Sequence, residues 1–289
     1  MLRGMIKPSV LAVLIAASGG LDAQETAKTE QDPTSPWTKK LIASVNFTQA
    51  SFSNWASGGE NSLAWQSTIK AELTRTEAGY EFVNKGRFSF GLSRVGNTGT
   101  RKSADEIHLE SVFTLKRGKY LNPFISASAQ TQFASGYDYS GTTKTRISKL
   151  LDPGYFTQSA GVGYTPNKTF KTRLGATAKE TVTSDFPSPY ADDPDTPGIE
   201  KTRIEGGVTS TSELEHAIDE DAVFTSRLEL FSNLKGFNQI DMKWENLLPL
   251  NVTKLISVNL TVDLLYDKDT TDDLQIKEIL GVGLSYSFL

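Results

Sequence analysis

The chain has 289 residues, a formal charge of −4, 22% charged residues and no cysteine. The missing cysteines exclude a disulfide framework and a thiolate metal site, and the missing basic surplus argues against a protein built mainly to bind nucleic acid. A mean hydropathy of −0.31 is too low for a bundle of membrane helices, but a membrane barrel fits it because only alternate strand residues face lipid.

The N-terminus reads as an export signal over residues 1–23. Arg3 and Lys7 precede the apolar run VLAVLIAA, Val10 to Ala17, and small residues lead to a cleavage point after Ala23. The run is too short to cross a bilayer as a helix. Residues 24–36 (QETAKTEQDPTSP) are polar and proline-bearing and read as a flexible lead-in. Residues 37–289 then read as one β-barrel domain.

From Leu41 onward, apolar and polar residues alternate with period two, the signature of a strand with one apolar face. Leu41, Ala43, Val45 and Phe47 begin the series. Leu63, Trp65, Ile69 and Leu73 follow, backed by Gln66, Thr68, Lys70 and Glu72. The pattern recurs around Phe88 to Leu92, Ile107 to Leu115, Ile125 to Phe133, Phe156 to Tyr164, Leu174 to Ala178 and Ile204 to Val208. It continues through Phe224 to Leu230, Ile240 to Trp244, Ile256 to Leu264 and Leu280 to Phe288. That makes about twelve strands, an even number as single-chain bacterial barrels have. Two stretches, Tyr80 to Gly86 and Gly136 to Leu151, do not resolve into strand or loop by periodicity.

The connections alternate in length. Short ones sit around 117–119, 165–168, 218–221 and 249–254, while the one near TEAGYEFVNKG, after the second strand, reads as longer than its class. Long ones run over 94–106, 134–154 and 183–201. Short turns on one rim and long loops on the other are expected of an outer-membrane barrel, with both termini on the periplasmic side. Alternation alone leaves open which face meets lipid, since a soluble barrel turns its apolar side inward. The export signal, polar faces of Gly, Ser, Thr and mixed charge, and the aromatic final strand GLSYSFL favour a transmembrane antiparallel up-and-down barrel. Tyr80, Tyr120, Tyr155, Tyr164, Tyr266 and Tyr286 are expected at its interfacial girdles.

The stretch NFTQASFSNWASGGENSLAW resembles the N-terminal hallmark of a family catalogued as domain of unknown function 3078 (DUF3078). TQFASGYDY (131–139), YFTQSAGVGYTPNK (155–168), SRLELFSN (226–233), DMKWENLL (241–248), LLYDKD (264–269) and IKEILGVGLSYSF (276–288) continue the resemblance in order. It implies a bacterial outer-membrane barrel, surrounded by outer-membrane lipid, and GLSYSFL resembles the C-terminal signature of outer-membrane proteins that the insertion machinery reads. It implies no substrate, cofactor or catalytic residue.

Two groups of residues are candidates for function. Asn54, Trp55, Gly58, Gly59, Glu60 and Asn61 form the first outer loop, where the glycines permit positive φ and the polar groups anchor backbone or contact a ligand. The lumen charges are Lys70, Glu72, Arg87, Glu110, Arg173, Lys179, Arg203, Glu205, Arg227, Glu229, Asp241, Lys243, Glu245 and Asp263. They suit either a selective pore or a salt-bridge lattice that fills the barrel. The leading expectation is a passive channel for small solutes. The alternative is a closed structural or interaction barrel acting through its outer loops or in an envelope assembly. A lipid-modifying enzyme would need His108, which shares a lumen face with Glu110, to activate a serine that no spacing singles out. Asp192, Asp193 and Asp195, and Asp267, Asp269, Asp272 and Asp273, are acidic loop clusters without the glycine and distal glutamate of an EF-hand, so no metal site is expected from them by default.

Overall fold

The computed structural model describes residues 35–53, 57, 59–118, 120–141, 143–188, 190–193, 196–234, 240–267 and 273–288. The expected export signal and all but the last two residues of the lead-in lie outside the described residues.

The architecture is all-β. Five strands come first: β1 (Trp37–Ala50), β2 (Ser62–Thr76), β3 (Tyr80–Val95), β4 (Thr100–Leu115) and β5 (Asn122–Thr131). A small hairpin follows, β6 (Gly136–Asp138) with β7 (Thr145–Ser148). Seven further strands complete the chain: β8 (Gly154–Tyr164), β9 (Phe170–Val182), β10 (Thr202–Ala217), β11 (Val223–Asn233), β12 (Ile240–Asn251), β13 (Ile256–Tyr266) and β14 (Gln275–Ser287). All but the hairpin pair antiparallel with their sequence neighbours, and β1 closes on β14 from Ile42↔Ser287 to Phe47↔Val282. The result is a closed twelve-strand up-and-down barrel, which leaves no unpaired sheet edge.

The direction of the alternation is the reverse of a soluble barrel's. Buried positions are mostly polar: Thr68, Glu110, Thr177, Thr209, Thr211 and Ser257 point into the lumen, with Val112, Phe124 and Phe231 as apolar exceptions. Exposed positions are apolar, with Leu280 at 66% and Ile125 at 60% exposure on the outer wall. A continuous apolar outer face is unfavourable in water by roughly 25 cal/mol per Å² and is the surface a bilayer covers. The expected transmembrane barrel is the fold observed.

Aromatic residues gather toward both rims. Near the short turns, Tyr80 stacks on Phe113 at 5.4 Å, Trp37 meets Phe82 edge-on at 6.3 Å, and Tyr120 stacks on Tyr164 at 6.2 Å. Toward the long loops, Phe133 meets Phe88 at 5.8 Å and Phe90 at 6.3 Å. Tyr155 departs from the expected girdle. Its strand position shares parity with Thr157 and Ser159, so its ring lines the lumen.

The periodicity was least informative at Tyr80 to Gly86, where the structure extends β3 to Tyr80 and pairs it with Leu115. The preceding connection is a turn of residues 77–79, closed by Glu77 N–H on the Tyr80 carbonyl at 2.9 Å. It is a short turn like the others on its rim, not the longer connection expected. The other ambiguous stretch holds the β6–β7 hairpin.

Two buried carboxylates tie down the long loops. Asp105, on β4, accepts the backbone N–H of Phe133 at 2.7 Å and of Ala134 at 2.8 Å, with Lys102 Nζ at 2.7 Å. Asp152 is 1% exposed and accepts Ser184 N–H and Asp185 N–H, both at 2.8 Å. Each satisfies amides that would otherwise lose water without gaining a partner.

Candidate functional site

The lumen holds a connected lattice of opposite charges. Arg227 on β11 reaches across the bore to Glu110 on β4 at 3.0 Å and along its own wall to Glu213 at 2.6 Å. Arg173 on β9 shares both carboxylates, at 3.2 Å to Glu110 and 3.3 Å to Glu213. Lys85 on β3 crosses to Glu213 at 3.2 Å. A second group centres on Arg87 of β3, which binds Glu106 at 2.8 Å and crosses to Glu245 of β12 at 2.7 Å. Lys243 lies 3.9 Å from Glu106 and 3.7 Å from Glu245.

In the order of strands around the barrel, β4 and β11, β3 and β10, and β3 and β12 are each five steps apart in a ring of twelve. These ion pairs therefore span nearly the full bore. A cavity of about 100 Å³ lies against them, lined by residues including His108, Gln130, Tyr155, Arg173, Arg227 and Lys243. That is room for a few waters.

The remaining sequence-predicted charges also face inward. Lys179 binds Asp241 at 2.9 Å and lies 3.7 Å over the ring of Phe231. Phe231 is 2% exposed and lies flat against the wall because position 207 is glycine; a Cβ there would collide with the ring. Arg203 pairs with Glu205 at 3.1 Å, Arg227 also reaches Glu229 at 3.5 Å, and Asp263 takes Lys277 at 3.4 Å. Glu72 accepts from the Thr74 hydroxyl at 3.2 Å, and Lys70 stands in register with Arg87.

Sequence reasoning missed Lys85, Glu106, Glu213 and Lys171, the last 3.7 Å from Glu213, as lattice members. All lie where strands run further than the apolar pattern suggested. Extending the parity of Glu205, Gly207, Thr209 and Thr211 by one step reaches Glu213, so the signal was present.

The lumen face of β13, β14 and β1 differs. Ser257, Asn259, Thr261, Gly281, Gly283, Ser44, Asn46 and Thr48 line an uncharged stretch of it, bounded toward the long loops by the Asp263–Lys277 pair. Asn259 donates to Asn46 Oδ1 at 2.8 Å across Gly283, whose missing side chain makes room for the contact.

Of the first-loop candidates, Asn54, Trp55 and Gly58 lie outside the described residues. Of the others, Asn61 bonds loop backbone. Asn61 Oδ1 accepts the Phe52 N–H at 2.7 Å, and the Asn61 carbonyl accepts the Gly96 N–H at 2.7 Å. Gly59 has φ +148°, and a Cβ there would lie 2.7 Å from the Phe52 ring. Glu60 lies against Gly96, itself at φ +52°. Among the described residues, no three acidic or histidine side chains converge on a common point. Asp195, Asp269 and Asp272 of the acidic clusters lie outside the described residues, and Asp192 accepts the Glu200 N–H at 3.0 Å.

The chain is a β-barrel of the membrane type, and residues 47–137 match the family described as "Protein of unknown function (DUF3078)". The family resemblance read from the sequence is thereby borne out over that segment. No curated protein matches the chain. Among solved structures, the translocator domain of the autotransporter NalP from Neisseria meningitidis aligns with TM-score 0.39 and 12% identity, covering 86% of this chain and 87% of that one. The NanC porin aligns with TM-score 0.37 and 7% identity, covering 86% and 97%. The COG4313 outer membrane channel from Pseudomonas putida F1 aligns with TM-score 0.38 and 9% identity, covering 86% and 94%. Similarity at this level identifies no substrate or activity.

Proposed function

We propose that the protein is a bacterial outer-membrane barrel whose bore is closed by the charge lattice and whose work is done at the long-loop rim. The observation that carries this reading is the set of ion pairs spanning the bore, Arg227 to Glu110, Lys85 to Glu213 and Arg87 to Glu245. The apolar outer wall and the aromatic C-terminal strand support an outer-membrane setting, with lipid around the belt and the insertion machinery engaging β14.

The test is planar-bilayer recording of the refolded full chain, with insertion verified by heat-dependent gel mobility. The wild type is expected to be silent, and Arg87→Gln with Arg227→Gln is expected to produce discrete conductance steps. Reproducible steps in the wild type would overturn the closed-barrel reading.

A passive channel is the second reading, favoured by the uncharged stretch of lumen face around Asn46, Asn259 and Gly283. It predicts wild-type steps that shrink when Asn46→Arg places a long side chain on that face.

A lipid-modifying enzyme would need a serine placed against His108. Among the described residues no hydroxyl is hydrogen-bonded to His108, which lines the lumen cavity with Ser126 and Ser128. His216 is exposed, in register with Phe224 at the short-turn end of β10.

A further inference from the structure

The β6–β7 hairpin stands at the long-loop rim and gathers three cations against aromatic rings. Arg101, at the start of β4, lies 4.4 Å over Tyr139. Lys144 lies 4.5 Å over Tyr137, and the two tyrosine rings are 6.3 Å apart. Arg146, in register with Tyr137, lies 5.6 Å over Phe186 of the neighbouring long loop. The three cationic side chains are exposed and the three rings are half-buried beneath them. Among the described residues none of these cations is in a salt bridge, and neither tyrosine hydroxyl is hydrogen-bonded.

The nearby carboxylates are otherwise engaged. Asp138 accepts the N–H and hydroxyl of Ser140 at 2.8 and 2.9 Å, which holds its pKa below the usual carboxylate range. Asp185 is held by Lys149, and Arg146 acts on it only from beyond salt-bridge distance. The support is rigid: Asp152 clamps the Phe186 loop, Gln132 donates to the carbonyls of Lys149 and Asp152 at 2.9 and 3.1 Å, and Ser148 donates to Gln132 at 2.8 Å. A ring beneath a guanidinium holds it flat and leaves its in-plane N–H donors for an anion. The strip is therefore formed before any ligand arrives.

We infer that this strip binds an anionic glycan, its carboxylate or phosphate groups met by Arg101, Lys144 and Arg146 and its hydroxyls by Tyr137 and Tyr139. The inference rests on the long-loop rim being the working surface. Its failure is separable, because loss of glycan binding leaves the bilayer recordings unchanged and a conducting wild type leaves glycan binding unchanged.

The experiment is fluorescence anisotropy of a labelled galacturonan oligosaccharide titrated with the full chain in detergent micelles. A dextran fragment of matched length and inorganic polyphosphate serve as the neutral and non-sugar comparisons. The galacturonan should bind and the dextran should not. Arg101→Gln, Lys144→Gln and Arg146→Gln together should weaken the galacturonan by at least about tenfold. Tyr137→Phe with Tyr139→Phe should weaken it by about threefold while leaving polyphosphate unchanged. Heat-dependent mobility checks that each barrel is folded, and Lys144→Gln alone provides a milder variant. No galacturonan binding by the wild type, or binding that survives the triple variant, overturns the site. Polyphosphate bound as tightly as galacturonan, with both insensitive to the tyrosine substitutions, overturns the glycan assignment and leaves a general polyanion surface.

Discussion

The two sides of the lumen solve the same packing problem with different chemistry. From β9 to β12 the inward positions carry Arg173, Lys179, Glu213, Arg227, Glu229, Asp241, Lys243 and Glu245, which pair with one another and, through Arg173, Glu213, Arg227 and Glu245, with β3 and β4. Over most of β13, β14 and β1, short of the Asp263–Lys277 pair, they carry serine, threonine, asparagine and glycine, which end close to the wall and bond to strand neighbours, as Asn259 does to Asn46. A barrel of this width cannot be filled by short side chains from all round. One arc therefore supplies reach and the other supplies space. The charged arc is also interdependent: Glu110 and Glu213 each serve two arginines, so each loss strands several partners.

The sharpest way to break the contrast is Glu110→Gln combined with Glu213→Gln. Arg173 and Arg227 would keep their charge and lose their principal counter-ions, a loss of about 3–5 kcal/mol on the scale of broken buried pairs. The expected readout is a marked fall in the temperature at which the folded band disappears on heated gels; an unchanged transition would mean that water replaces the lattice without cost. Gly207→Ala comes next. The added Cβ meets Phe231 and displaces the ring under Lys179. A loss of about 1–3 kcal/mol is expected, measurable as a lower urea midpoint, with Gly206→Ala as the control because nothing lies within 4 Å of a Cβ there.

Asp105→Asn tests whether the rim depends on the wall beneath it. It should leave the barrel transition nearly unchanged, with the lost charge-assisted bonds amounting to about 1–3 kcal/mol, confined to the loop. Limited proteolysis within 132–153 should accelerate, and equal cleavage rates would contradict an anchoring role. The smallest effect is expected on the uncharged arc. Asn46→Ala removes one neutral side-chain bond, worth about 1 kcal/mol, and leaves no charge stranded. An effect as large as that of the Glu110 and Glu213 pair would erase the distinction between the two sides.

Most of the fold was legible because alternation survives almost unbroken along each strand, and a period of two admits only two faces. The candidate lumen charges were legible for the same reason. The pattern failed where the outward residues were not apolar. Asn84 lies on the outer face of β3, bonded to Ser111 at 2.8 Å, and it hid the first turns of that strand. Glu106 and Glu213 were lost with other strand ends, where polar residues occupy both faces near the rims. The Arg101, Lys144 and Arg146 strip had no periodic signature, because its members come from a strand end and a hairpin on different connections.

The chain by itself determined the strand periodicity, the alternation of short and long connections, and which side chains share a face, because these follow from local geometry and neighbours in sequence. Three things were decided only by the tertiary structure: that the polar face turns inward, that Arg227 meets Glu110 and Arg87 meets Glu245 across the bore, and that three cations converge over aromatic rings at one rim. Each depends on closing β1 onto β14 and on strand registers that bring residues more than a hundred positions apart, or on separate loops, within a few ångströms. No local pattern encodes that distance.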